Sequence, residues 1–132
     1  MTATCINLIE RFGSKYRVSF EEGYSPRNVP RDKLDAWMME IRGRFGVIHP
    51  HGGDTLAVMV DRHPAARRAL AAMPCCRLAQ DGEHEATFLF DVADFATVAA
   101  IVKPNRKAQW SETRRQDARD RMNALNSPKA MA

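Results

Sequence analysis

The chain has 132 residues, 45% of them hydrophobic and 27% charged. That is one domain's length of ordinary globular composition, which excludes a two-domain protein and a wholly disordered one. No apolar run reaches the length of a membrane span and no basic-then-apolar start marks a secretory leader, so a cytoplasmic protein with no membrane partner is expected.

Residues 4–12 predict a short helix: Cys5, Leu8, Ile9 and Phe12 recur at helical spacing, Thr4 can cap its start and Gly13 can end it. Residues 15–20 alternate, with Tyr16, Val18 and Phe20 against Lys15, Arg17 and Ser19, which predicts a half-buried strand. Gly23, Pro26 and Pro30 make 21–35 a surface connection, and residues 37–42 alternate again as a second strand.

An internal repeat follows. At an offset of 30, Gly52 falls on Gly82, Asp61 on Asp91, Ala66 on Ala96, Ala69 on Ala99 and Pro74 on Pro104, without a gap. Each copy reads as strand, turn, strand, helix and proline stop. In the first, 45–49 and 55–60 form a hairpin and 64–73 a helix with Pro64 in its first turn; in the second, 76–80 and 86–91 pair and 94–102 is helical. Ala66, Ala69, Leu70 and Met73 give one inner helical stripe, and Phe95, Val98, Ala99 and Val102 the other. Ser111 and Glu112 then start a helix over 111–125 whose apolar stripe, Ala118, Met122 and Leu125, is narrow.

The expectation is therefore one α+β fold: an antiparallel sheet built on a tandem ββα duplication, units 45–74 and 75–104, with an N-terminal helix and a basic C-terminal helix. The domain body spans 1–102, and 103–132 is a basic linker and helix appended to it.

Charge follows that division. Residues 1–102 hold 12 Lys/Arg and 13 Asp/Glu, a net of −1, whereas 103–132 hold eight Lys/Arg and three Asp/Glu, a net of +5. A neutral body with a cationic end attracts polyanions, so Lys103, Arg106, Lys107, Arg114, Arg115, Arg119 and Arg121 are candidates for phosphate, and Trp110 among them for stacking on a base. Arg17 and Arg42 point away from the apolar sets of their strands, toward an open sheet face of the kind RNA-binding modules use, although Phe88 and Phe90 read as core.

Other chemistry is thinly represented. His49, His51 and Asp54 at one turn and His84 at the other offer metal ligands and a general base, but at no established ligand spacing; solvated hairpin turns are the preferred reading, and no cofactor is expected. Cys5, Cys75 and Cys76 are an odd number with two adjacent, a poor disulfide framework, and read as small buried hydrophobes. Nucleophile elbows, phosphate-binding glycine loops and CxxC pairs are absent from the sequence.

The segments RFG at 11–13, PRDKLDAWMM at 30–39, PHGG at 50–53, DGEHEATFLFDV at 81–92 and VKPNRKAQWSE at 102–112 resemble those of small uncharacterised proteins of bacteria and their mobile, phage-like elements. The resemblance spans nearly the whole chain and implies a stand-alone small protein with no established activity. The functional expectation is a non-enzymatic protein that binds DNA, RNA or a ribonucleoprotein through its basic C-terminal segment. Two alternatives are an element-encoded inhibitor or assembly factor meeting an acidic protein surface, for example of a host defence complex, and a metal-dependent hydrolase at the histidine-bearing turns.

Overall fold

The computed structural model describes residues 4–107 and Arg119. The expected helix over 111–125, Arg119 apart, lies outside the described residues, as do the candidates Trp110, Arg114, Arg115 and Arg121. The fold is α+β. Six strands, β1 (Ser19–Phe20), β2 (Met39–Arg42), β3 (Val47–Gly52), β4 (Thr55–Asp61), β5 (Arg77–Asp81) and β6 (Glu85–Asp91), form one antiparallel sheet in the order β1-β2-β3-β4-β6-β5. Over residues 4–107, three α-helices accompany it: α1 (Leu8–Phe12), α2 (Pro64–Ala71) and α3 (Phe95–Val102).

Side chains alternate across each strand, so the register sorts the sheet into two faces. Ile41 lies opposite Ile48, Ile48 opposite Val58, and Val58 opposite Phe88. This row joins Met39, Leu56, Val60 and Phe90 in one core cluster with Leu8 of α1, Leu70 of α2 and Phe95, Val98 and Val102 of α3. The other face carries the rows Arg42–Val47–Met59–Thr87 and His49–Ala57–Leu89–Arg77. Ala57 and Leu89 are buried there, outside the main cluster. Phe88 and Phe90 face the helices, so these rows of the open face carry no aromatic ring, and the exposed-sheet mode of RNA recognition lacks its platform here.

Three sequence expectations are corrected near the N-terminus. The first helix starts at Leu8 rather than Thr4, because Asn7 caps it by accepting the Glu10 N–H at 3.1 Å; the Thr4 carbonyl instead accepts the Gly53 N–H at 2.8 Å. The strand expected over 37–42 starts at Met39, since Asp35 caps a 3₁₀ turn over Ala36–Met38 by accepting the Trp37 N–H. The strand expected over 15–20 is cut in two: Ser19–Phe20 pairs with β2, whereas Tyr16 pairs with Arg106.

What cuts it is the segment following α3. Residues 103–107 run between 42–45 on one side and 15–17 on the other. Arg44 and Phe45 donate to the carbonyls of Lys103 and Val102 at 3.0 Å each, and Asn105 donates to Arg42 at 2.9 Å. Across the other edge Arg17 donates to Asn105 at 2.9 Å and Lys107 to Lys15 at 3.0 Å. The stretch expected as an appended linker is thus, over 103–107, woven into the body.

This seam requires a glycine at 43. A Cβ there would stand 2.5 Å from the Val102 carbonyl oxygen and 3.0 Å from that of Lys103, both backbone atoms that cannot swing aside. Gly43→Ala is therefore expected to destabilise the fold by about 2 kcal/mol or more, a typical cost of forced repacking. Urea unfolding measures it; a loss below about 0.5 kcal/mol would show that the seam yields without cost.

Candidate nucleic-acid interface

The seam gathers cations from three separate stretches of sequence. On the α3 side of the 15–17 and 103–107 ribbon, Lys15, Lys103 and Arg106 line a depression of about 540 Å³ with Tyr16, Pro104, Ala96, Ala99 and Ala100. On the α1 side, Arg17, Arg31 and Lys107 line another of about 710 Å³ with Ile9, Gly13, Leu34 and the 16–19 stretch. Among the described residues neither lining includes an aspartate or glutamate. All six cationic side chains are exposed, and none forms an ion pair among the described residues. Lys107 Nζ is 3.4 Å from the Gly13 carbonyl oxygen, and Lys15 Nζ lies 5.6 Å from the Tyr16 ring centroid.

The platform beneath them is rigid for identifiable reasons. Phe95, the first residue of α3, stacks on Phe12 of α1 with ring centroids 3.9 Å apart and meets the tilted ring of Tyr16 at 5.3 Å. Tyr16 is only 8% exposed although it lines both depressions, so it forms their floor rather than a stacking surface. Lys103 ends α3 in the left-handed conformation (φ 54°, ψ 68°), donating its N–H to the Ala99 carbonyl. That conformation turns the chain out of the helix and into the seam.

Of the residues anticipated from sequence, the structure brings Lys103, Arg106 and Lys107 together. Arg119 is an exposed helical residue. Lys15, Arg17 and Arg31 join the site from the N-terminal third. Arg17 was anticipated beside Arg42 on the open sheet face, but lies by α1 instead. Arg42 is on that face with Glu40, whose carboxylate accepts from its Nε at 2.7 Å and pushes the guanidinium above its ordinary range. The sequence signal available for Lys15 and Arg17 was their alternation about Tyr16; nothing local pointed to Arg31.

The histidine-bearing turns do not converge. Thr55 of β4 lies opposite Asp91 and Asp61 opposite Glu85, so the turn with His51 and Asp54 and the turn with His84 occupy opposite ends of the sheet, separated by the seven-residue β4, about 20 Å. Among the described residues no group of three or more His, Cys, Asp and Glu is placed to hold a metal ion. Other cations have partners of their own: Arg67 bonds Asp81 and the Gly82 carbonyl, and Arg44 lies 5.3 Å from the Phe45 ring centroid. The three cysteines are free; Cys75 and Cys76 Sγ are 3.9 Å apart, and burial, with the neighbouring thiol, pushes Cys76 up to about 12.

Two outcomes follow from these environments. Lys103→Gly removes one cation and relieves a left-handed side-chain residue, so stability is expected to hold or rise by up to about 1 kcal/mol in urea titrations; a loss above that would give the lysine side chain a structural role. A thiol at about 12 is thiolate to only about one part in ten thousand at pH 8, so Cys76 is expected to alkylate far more slowly than glutathione there, its rate climbing with pH through 10. Peptide mapping after iodoacetamide treatment checks this, and labelling of Cys76 as fast as glutathione would contradict it.

Comparison with protein-family models, with curated proteins and with solved structures finds no match to this chain.

Proposed function

We propose that this chain is a non-enzymatic nucleic-acid-binding protein that docks its ligand on the cationic ribbon formed by 15–17 and 103–107. The observation that carries this reading is the pair of depressions, each lined by three cations that, among the described residues, form no ion pair and share the lining with no carboxylate. Gathering like charges costs self-repulsion, and an anion lying across them relieves it while releasing its own counterions. The interface expected from the C-terminal residues alone becomes composite, with half its described cations supplied from upstream. Arg114, Arg115, Arg119, Arg121 and Trp110 continue the proposal beyond the ribbon on the strength of sequence.

The tandem duplication belongs to the same proposal. Its support is the β4–β6 register, in which Val58 and Phe88, equivalent positions at the offset of 30, stand directly opposite each other. A twofold axis between them exchanges Thr55–Asp91 with Glu85–Asp61, as two like units require. A bacterial or mobile-element origin is retained as part of the proposal on the resemblance of the quoted segments. The hydrolase alternative gains no support from turns at opposite ends of the sheet.

The test is an electrophoretic mobility shift with DNA and RNA across a salt series. Retardation is expected at low salt, with log affinity falling against log salt at a slope near −5 for six phosphate contacts. No retardation of either polymer at low salt would reject the assignment; capture of an acidic protein by the same surface would then transfer it to the inhibitor alternative.

A further inference from the structure

Resting on that reading, we infer that the ribbon takes the sugar-phosphate backbone of a duplex, with each depression meeting a short run of consecutive phosphates, and does not read bases. Lys15, Lys103 and Arg106 form one phosphate subsite, and Arg17, Arg31 and Lys107 form the other, with Tyr16 as the floor they share.

Three observations converge on a backbone rather than a base. Single-strand binders stack bases on aromatic faces, a contact worth about 1–3 kcal/mol per base. Among the described residues at this surface the aromatic rings are spent on one another: Phe12 and Phe95 are stacked, Tyr16 is set against Phe95, and Tyr16 and Phe95 are 8% and 6% exposed. Second, direct readout of adenine uses an asparagine or glutamine amide, and that of cytosine an aspartate or glutamate carboxylate. Among the described residues, neither depression has an asparagine, glutamine, aspartate or glutamate in its lining. Third, both edges of 103–107 are hydrogen-bonded, to Arg42 and Arg44 on one side and Lys15 and Arg17 on the other. A surface fixed in this way suits the regular phosphate rows of a helix better than a pliable single strand. Four alkyl or aromatic side chains beside the lysines, Ala96, Ala99, Ala100 and Tyr16, leave contacts only for sugar carbons.

The experiment measures fluorescence anisotropy of the full chain with labelled duplexes of about 20 bp in two unrelated DNA sequences, an RNA duplex, and single-stranded oligo-dT of the same length. The two DNA duplexes are expected to bind within about threefold of each other and at least about tenfold tighter than the single strand. The RNA arm separates the two possible sources of the duplex: affinity within tenfold of DNA means that phosphate alone is read, and a larger gap assigns the site to the tighter helix form. The triple variant Lys15→Ala/Lys103→Gly/Arg106→Ala is expected to lose about tenfold or more and to flatten the salt slope by nearly three. The matched triple Arg27→Ala/Arg68→Ala/Arg77→Ala, drawn from exposed cations away from both depressions, should lose less than threefold. Thermal melts of both variants establish that they fold. Tighter binding of oligo-dT, a preference above tenfold between the two DNA sequences, or equal loss in both triple variants would overturn this inference while leaving nucleic-acid binding standing. Failure of every polymer to bind at low salt would instead overturn the functional reading beneath it.

Discussion

A backbone-to-backbone approach at Gly43 organises the surface described above. Because no Cβ intrudes on the Val102 and Lys103 carbonyls, the chain leaving α3 closes against 42–45 and then meets 15–17 along its other edge. Each of these hydrogen bonds contributes only about 1 kcal/mol net, but together they determine which side chains become neighbours. Lys15 and Lys103 are 88 positions apart in sequence and line one depression because of this seam. A larger residue at 43 would act on the charge pattern without touching a single charge.

Beneath the seam, apolar packing supplies what hydrogen bonds do not. The sheet buries its inner row, Ile48, Val58 and Phe88, against Leu70 and Val98, all essentially inaccessible to water. The Phe12–Phe95–Tyr16 set ties α1 and the start of α3 to the ribbon, and aromatic pairs of this kind add about 0.5–1.5 kcal/mol beyond their buried area. Core and cationic surface are thus separated by one layer of side chains. Electrostatic repulsion among six exposed cations is borne by this packed layer; on the proposed function, cations held in place before a ligand arrives reduce the ordering cost of binding.

Much of this was legible in the sequence where the signal was local. Pro64, Pro74 and Pro104, the glycine-bearing turns and the alternation of 55–60 and 86–91 located α2, β4, β6 and α3 to within a few residues, because each is set by its own periodicity and punctuation. Phe88 and Phe90 were correctly assigned to the core. The failures were non-local. Alternation over 15–20 is real, but a long-range insertion by 103–107 diverts Tyr16 to Arg106 and leaves only Ser19–Phe20 for β2. The left-handed Lys103 has no sequence signature, since that conformation usually signals itself by glycine or asparagine. Charge counting placed the positive end at 103–132; it could not show that Lys15, Arg17 and Arg31, hidden in a segment of balanced charge, face the same depressions.

On the duplication reading, the location of the seam also has a physical cause. The first unit passes into the second through the continuous chain at Met73–Pro74. A twofold axis through the β4–β6 pair carries that junction onto the place where the second unit ends, at Lys103–Pro104, and the first begins, after Gly43. The two junctions must have similar surroundings, but only one is covalent. At the other, the entering and leaving strands are held by the Arg44–Lys103 and Phe45–Val102 hydrogen bonds and by the Gly43–Pro104 pairing. The chain is free to continue there, and it does so along the 15–17 edge, where position 106 is arginine although its equivalent, 76, is a half-buried cysteine. The cationic ribbon therefore forms where the symmetry of the scaffold is broken: the one junction not closed by a peptide bond is the one that can present a charged strand to a ligand.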